Sequence, residues 1–290
     1  MRASSSPWVA IAALLAAMAS IQFGASVAKG LFSVLDILEV TSVRLSLAAV
    51  IMMVLLRGWR ARISSTNWQW LFVYGASLAG MNIMFYLAIH ILPLGIAAAV
   101  QFLGPLSVAV FGSRKPVDFL WSAMAAAGLF LITKVDGSAG NVGLLGLAWA
   151  LGAAACWALY IVSGQRAGAE HGAQTAALGM VIAAFVSLPF GLPEVATSHY
   201  TSHLLALLAA VAILSGVIPF TLEMVALRSL PARTFGTLMS LEPVMAALIG
   251  MARLGERLVT VQWIAIVLIV AASAGATLSA RAKSKISDGA

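Results

Sequence analysis

The stretch Leu230-Pro231-Ala232-Arg233-Thr234-Phe235-Gly236-Thr237-Leu238-Met239-Ser240-Leu241-Glu242-Pro243 has an outline copy 138 residues earlier, from Leu92-Pro93 to Gly104-Pro105. One offset superposes Pro93 on Pro231 and Pro105 on Pro243, with Leu92 on Leu230, Ala88 on Ala226, Ala109 on Ala247 and Gly112 on Gly250. It also carries His90 onto Arg228 and Asp118 onto Glu256. Alanine matches are cheap in an alanine-rich chain, but two proline pairs at a single offset are not. Fixed-offset self-similarity is the mark of an internal repeat.

Working outward, each copy sits in a chain too apolar for water. Of 290 residues, 62% are hydrophobic and 9% charged, against about a quarter charged in soluble domains. That excludes a soluble enzyme, a disordered chain and a nucleic-acid-binding module. Apolar runs long enough to span hydrocarbon fall near 8–28, 38–56, 69–90, 93–112, 118–134, 142–164, 174–192, 204–227, 231–252 and 258–280. The expected fold is an all-α integral membrane protein of about ten transmembrane helices in two inverted five-helix repeats. The repeats are placed at 1–138 and 139–280, with a polar tail at 281–290. Inversion follows from arithmetic, because five spans are an odd number and the second copy must enter the bilayer the other way. The first span follows Arg2 and a serine run but is too long for a cleavable signal. Inverted repeats meeting at a midplane site are the architecture of secondary transporters.

The net charge of +7 reads as orientation. With the N-terminus inside, twelve Lys and Arg residues fall on the inner side and four (Lys29, Lys134, Arg253, Arg257) on the outer, while Arg44 lies within the second span. The positive-inside rule then puts both termini in the cytoplasm. The lone Cys156 excludes an internal disulfide framework.

Ionisable groups at membrane depth are costly and therefore functional candidates. Glu242 falls near the middle of the ninth span, directly before Pro243, where helix breakage is expected. Its repeat partner is Gly104 before Pro105, with Gln101 one turn earlier, so Gln101 and Glu242 are expected to approach the pseudo-two-fold axis from opposite halves. A neutral Glu242 that merely holds the kink is the competing account. Glu223, four residues after Pro219, either serves the solute or pairs with Arg228 or Arg233. Arg44 either snorkels to the headgroups or attracts a carboxylate. Asn82 and Tyr86 share a face of the third span, as do Trp157, Tyr160 and Ser163 on the sixth, and Gln22 lies deep in the first. Such an amide and aromatic lining suits a small polar solute, although interhelical hydrogen bonding would also use it.

Other signals point less far. Gly24-Ala25-Ser26 and Gly75-Ala76-Ser77 are half of a nucleophile elbow and read better as close helix packing. His199 and His203 have metal-ligand spacing but no third ligand apart from Glu194, so no metal is expected. There is no P-loop and no H-E-x-x-H. The small residues Ala271 to Ala276 suit a tight contact within the molecule or in a homodimer.

Ten spans in two inverted halves, Leu241-Glu242-Pro243 and Gly255-Glu256 together resemble the EamA-type drug/metabolite transporters. The run 230–243, with Ser163-Gly164-Gln165-Arg166-Ala167-Gly168-Ala169-Glu170-His171-Gly172 and Pro93-Leu94-Gly95-Ile96-Ala97, narrows the resemblance to bacterial inner-membrane amino-acid exporters of that family. The resemblance implies export of small neutral amino acids such as threonine and homoserine, with the proton as coupling ion and no other cofactor. It also implies a cavity lined by the first, third, fourth, sixth, eighth and ninth spans, with Glu242 at the family's Glu-Pro position. It implies an acid where this chain has Gln101. A broader drug or metabolite exporter of the same fold is the alternative, and a membrane-embedded hydrolase, for which no nucleophile–base pair is apparent, the remote one.

Overall fold

Two prolines decide where the fourth and ninth spans break. A proline lacks the N–H that would close the helix and clashes with the carbonyl four residues back. Four back from Pro105 is Gln101, and four back from Pro243 is Met239. The helices end at those residues: α4 is Leu94–Gln101 and α11 is Ala232–Met239. After each break the chain turns helical again, as α5 (Leu103–Ser113) and α12 (Glu242–Leu254). Pro243 therefore sits in the first turn of α12, where its missing donor is harmless. The entries match as well, since Pro93 (φ −56°, ψ 141°) precedes α4 and Pro231 (φ −55°, ψ 137°) precedes α11.

The computed structural model describes residues 7–60, 68–113, 116–133, 143–171, 174–195 and 200–280. The remaining helices are α1 (Pro7–Leu31), α2 (Ile37–Leu55), α3 (Trp68–Ile91), α6 (Pro116–Thr133), α7 (Leu144–His171), α8 (Gln174–Val195), α9 (Ser202–Ala212), α10 (Ile218–Ser229) and α13 (Thr260–Ala280). Between α9 and α10 the helix widens into a π-helical segment, Ile213–Val217. Pro219 explains the position, because the carbonyl it would block belongs to Ser215, inside the widened turn.

Among the described residues, nine helical stretches are long and apolar enough to cross a bilayer, and Phe119–Ile132 is a shorter apolar helix. The tenth expected span is this short one. Its α-helix starts at Pro116, and the apolar part covers roughly 21 Å at 1.5 Å per residue.

The 138-residue offset carries α1 onto α7, α2 onto α8, α3 onto α9–α10 and α4 onto α11. The packing follows the same exchange in part: α3 lies on α7 while α1 lies on α10, and α2 packs against α8 and α6 against α13; α4 packs against α12. In lipid the hydrophobic effect does not hold helices together, so contact depends on close backbone approach through small residues. At Gly95 an added methyl would lie 2.6 Å from Ala247 Cβ, which locks α4 to α12. All eight residues of α4 are buried. Gly24 meets Ser215, and Gly75 meets Ile182, at similarly short range, so both glycine–serine stretches are helix contacts. Gly275 abuts the Trp121 ring, which places the small-residue face of α13 against α6 within the molecule. Large apolar side chains such as Phe111, Phe119, Phe185 and Leu144 point outward, as a lipid-facing surface requires.

Candidate functional site

Both helix breaks open onto one cavity of about 330 Å³, at the small end of small-molecule sites. Nine of the ten polar and aromatic residues singled out for the cavity line it: Gln22 from α1, Arg44 from α2, Asn82 and Tyr86 from α3, Gln101 from α4, Trp157 and Tyr160 from α7, Glu223 from α10 and Glu242 from α12. Pro219 lines it too, whereas Pro105 and Pro243 do not. Ser163 is turned away, its hydroxyl donating to Leu159 O at 2.6 Å. The lining takes in the first, third, fourth, sixth, eighth and ninth spans. It adds the second through Arg44 and Leu45, and the seventh through Met180.

The two breaks present different chemistry. The first half offers Gln101, the last residue of α4, and its counterpart in the second half is Met239. Glu242 corresponds to Gly104, where an added methyl would lie 2.3 Å from Ala154 O. Close packing of α5 on α7 therefore leaves no room for a side chain there, and the acid exists only in the second half.

Glu242 is 8% exposed and Gln22 1% exposed. Gln22 Nε2 donates to Glu242 Oε1 at 3.0 Å. The other carboxylate oxygen of Glu242, and Gln22 Oε1, have no partner among the described residues. A buried acceptor without a donor is costly in a finished core, but it is the expected state of a site facing a polar solute. Glu223 supplies a second carboxyl group to the same cavity. Its pairing with Arg228 or Arg233 concerns side chains outside the described residues.

Arg44 does not snorkel. It is 4% exposed and faces the cavity. Asn82 and Ser215 accept hydrogen bonds from its two terminal nitrogens, Ser215 Oγ at 2.7 Å. The guanidinium carbon also lies 5.0 Å from the centre of the Tyr86 ring. Snorkelling needs a side chain directed to the headgroups, and here two neutral acceptors and a ring face hold it inside.

Aromatic contacts fix the rest of the wall. Tyr74 and Tyr160 stack at 4.5 Å with their hydroxyls 3.0 Å apart, and Phe102 meets Trp157 edge-on at 5.3 Å. Ser215 was not singled out in the sequence, although Ser215-Gly216 shortly before Pro219 marks a place where a helix bends.

A second polar cluster was also missed. Two turns beyond Gln22 on α1, roughly 10 Å along the axis, Lys29 Nζ donates to Glu256 Oε1 at 2.7 Å and to Leu92 O at 2.8 Å. Glu256 Oε2 accepts from Leu94 N at 2.8 Å, capping α4. One latch thus ties the end of α1, the entry to α4 and the turn after α12. Gly255, at φ +66°, makes that turn and suits the left-handed region. Among the described residues no group of three His, Cys, Asp or Glu is placed to hold a metal. His199 lies outside them.

The profile of the EamA-like transporter family matches residues 144–278. The threonine/homoserine exporter RhtA of Escherichia coli K12 is 50% identical over 281 residues, covering 97% of this chain and 95% of that protein. The protein of the same name from Salmonella typhimurium LT2 is 48% identical over 279 residues, covering 96% and 95%. A solved crystal structure superposes with a TM-score of 0.61 at 20% identity, covering 94% of this chain and 98% of the other, which speaks to the fold alone. This chain belongs to the EamA-like transporter family, a multi-span membrane protein of the exporter kind.

Proposed function

We propose that the protein exports small neutral amino acids, threonine and homoserine first among them, by proton antiport with alternating access. The observation that carries this reading is the pairing, in one cavity, of a buried carboxyl group and a buried guanidinium that do not neutralise each other by direct contact. Among the described residues Arg44 forms no ion pair with Glu242 or Glu223, and all three line the cavity. A zwitterion presents complementary charges. Its ammonium would lie near Glu242 with Gln22 and Gln101, and its polar side chain against Asn82, Tyr86, Trp157 or Tyr160. The 330 Å³ volume suits such a solute better than a drug-sized one. The names of the RhtA relatives support the substrate class.

Glu242 is the coupling group in this reading. Substrate ammonium and a proton compete for one carboxylate, so proton entry from outside displaces the solute and the protonated site returns inward. The two halves insert with opposite orientation, and both termini face the cytoplasm, as the Lys and Arg distribution favours. The broken helices α4–α5 and α11–α12 are the natural places for the halves to rock, because their backbone is already interrupted.

Counterflow in proteoliposomes tests the substrate class. Vesicles loaded with unlabelled threonine should take up labelled threonine and homoserine, but not labelled lysine, aspartate or a lipophilic cation. Uptake of the lipophilic cation with no amino-acid exchange would overturn the reading.

A further inference from the structure

Arg44 occupies an unusual position for a buried cation. It is 4% exposed, and among the described residues no carboxylate lies within ion-pair distance of it. Its partners are neutral: Asn82 Oδ1, Ser215 Oγ and the face of Tyr86. A guanidinium has five N–H donors, so most of its capacity remains, and Nε has no partner although buried. Burying a charge without a counter-charge is expensive, and neutral dipoles return only part of that cost.

The surroundings hold the group in place. Asn82 Nδ2 donates to Leu78 O at 2.7 Å, which turns Oδ1 toward Arg44. Ser215 Oγ donates to Val211 O at 2.6 Å, leaving its lone pairs to accept from Arg44. Ser215 lies in the π-helical segment Ile213–Val217, and such insertions are frequent at functional sites. Two elements thus orient a guanidinium that balances no charge of the protein. A rigid planar fork with free N–H groups matches a carboxylate in bidentate geometry, which an ammonium group cannot do.

We infer that Arg44, held by Asn82 and Ser215, is the anchor for the α-carboxylate of the transported solute and the residue that makes the cavity select amino acids over amines of the same side chain. The inference rests on the amino-acid reading above and adds the group that recognises the acid end.

The test compares binding of L-threonine with L-threoninamide and L-threoninol, which lack the carboxylate, using purified wild-type protein and Arg44→Gln, followed by calorimetry. The wild type should prefer threonine over both carboxylate-free analogues by roughly 10- to 100-fold, the scale of a charge-assisted hydrogen-bond pair. In Arg44→Gln, threonine should weaken by that factor while threoninamide is unchanged, so the preference collapses. Arg44→Lys keeps the charge without the fork and should retain only part of the preference. An unchanged threonine-to-amide ratio in Arg44→Gln, or equal loss of both ligands, overturns the anchor and leaves the transport reading intact. If Arg44→Gln does not fold, the wild type alone decides, since equal affinity for threonine and threoninamide overturns the anchor. Absence of binding of any amino acid to the wild type refutes the transport reading, and the anchor with it.

Discussion

Replacing Gly250 with alanine should open the Lys29–Glu256 latch without touching either charged residue. A methyl group built on Gly250 lies 2.3 Å from Glu256 Oε2 and 3.3 Å from Leu94 Cβ. The first contact is intolerable, and what yields is the end of a flexible side chain rather than backbone. The carboxylate must swing away, losing both its Lys29 bond at 2.7 Å and its Leu94 N–H bond at 2.8 Å. Lys29 and Glu256 side chains are 21% and 11% exposed. The loss therefore lies between the ≤1 kcal/mol of an exposed pair and the 3–5 kcal/mol of breaking a buried one, and about 2 kcal/mol is expected. With an unfolding entropy of about 2 cal/mol/K per residue this corresponds to a fall in Tm of roughly 3 °C. Thermal unfolding of the detergent-solubilised protein, followed by tryptophan fluorescence, measures it. Glu256→Ala should cost a similar amount, and Gly250→Ala in that background almost nothing more, because the obstructing oxygen is gone. The double-mutant cycle should thus return a coupling of about 2 kcal/mol. Additive shifts, or an unaltered Tm in Gly250→Ala, would refute the latch.

Two further substitutions probe the cavity wall. Gln22→Leu removes the donor to Glu242 Oε1 and should lower kcat/KM for threonine about tenfold or more, in line with a hydrogen bond to a charged group, while Tm stays near the wild-type value; full activity would contradict the pairing. Gly104→Ala places a methyl 2.3 Å from the backbone oxygen Ala154 O, which cannot rotate aside. It should destabilise by about 1–3 kcal/mol through overpacking, read as a lower Tm, and a neutral result would show that α5 and α7 are free to separate.

Much of this site could be read from the chain because membrane depth makes polar residues conspicuous. Glu242, Gln101 and Gln22 stand out against apolar neighbours, and Pro105 and Pro243 mark where α4 and α11 must stop, each four residues earlier. Asn82 and Tyr86, four apart on α3, announce their shared face. The direction of Arg44 was not legible. Near the end of an apolar run, snorkelling and inward anchoring require the same sequence, and only the position of Ser215 on a distant helix separates them. The π-helical segment was equally hidden, since Pro219 forecasts a defect but not that the turn widens instead of breaking. The latch joins Lys29 and Glu256 across 227 residues, and no local pattern reports a contact of that separation. The same holds for Gly104, whose lack of a side chain reflects Ala154 on another helix.

The central claim is that Glu242 exchanges a proton for an amino acid inside this cavity. Proteoliposomes containing the wild type, with an outward-directed or inward-directed pH step imposed and labelled threonine on the opposite side, measure it directly. Threonine should accumulate against its gradient only in the direction opposite to proton flow. Glu242→Gln, which keeps the shape and an oxygen for Gln22 to bond but mimics the protonated carboxyl, should bind threonine weakly and give no pH-driven accumulation. PH-driven accumulation by Glu242→Gln at the wild-type level would contradict the claim.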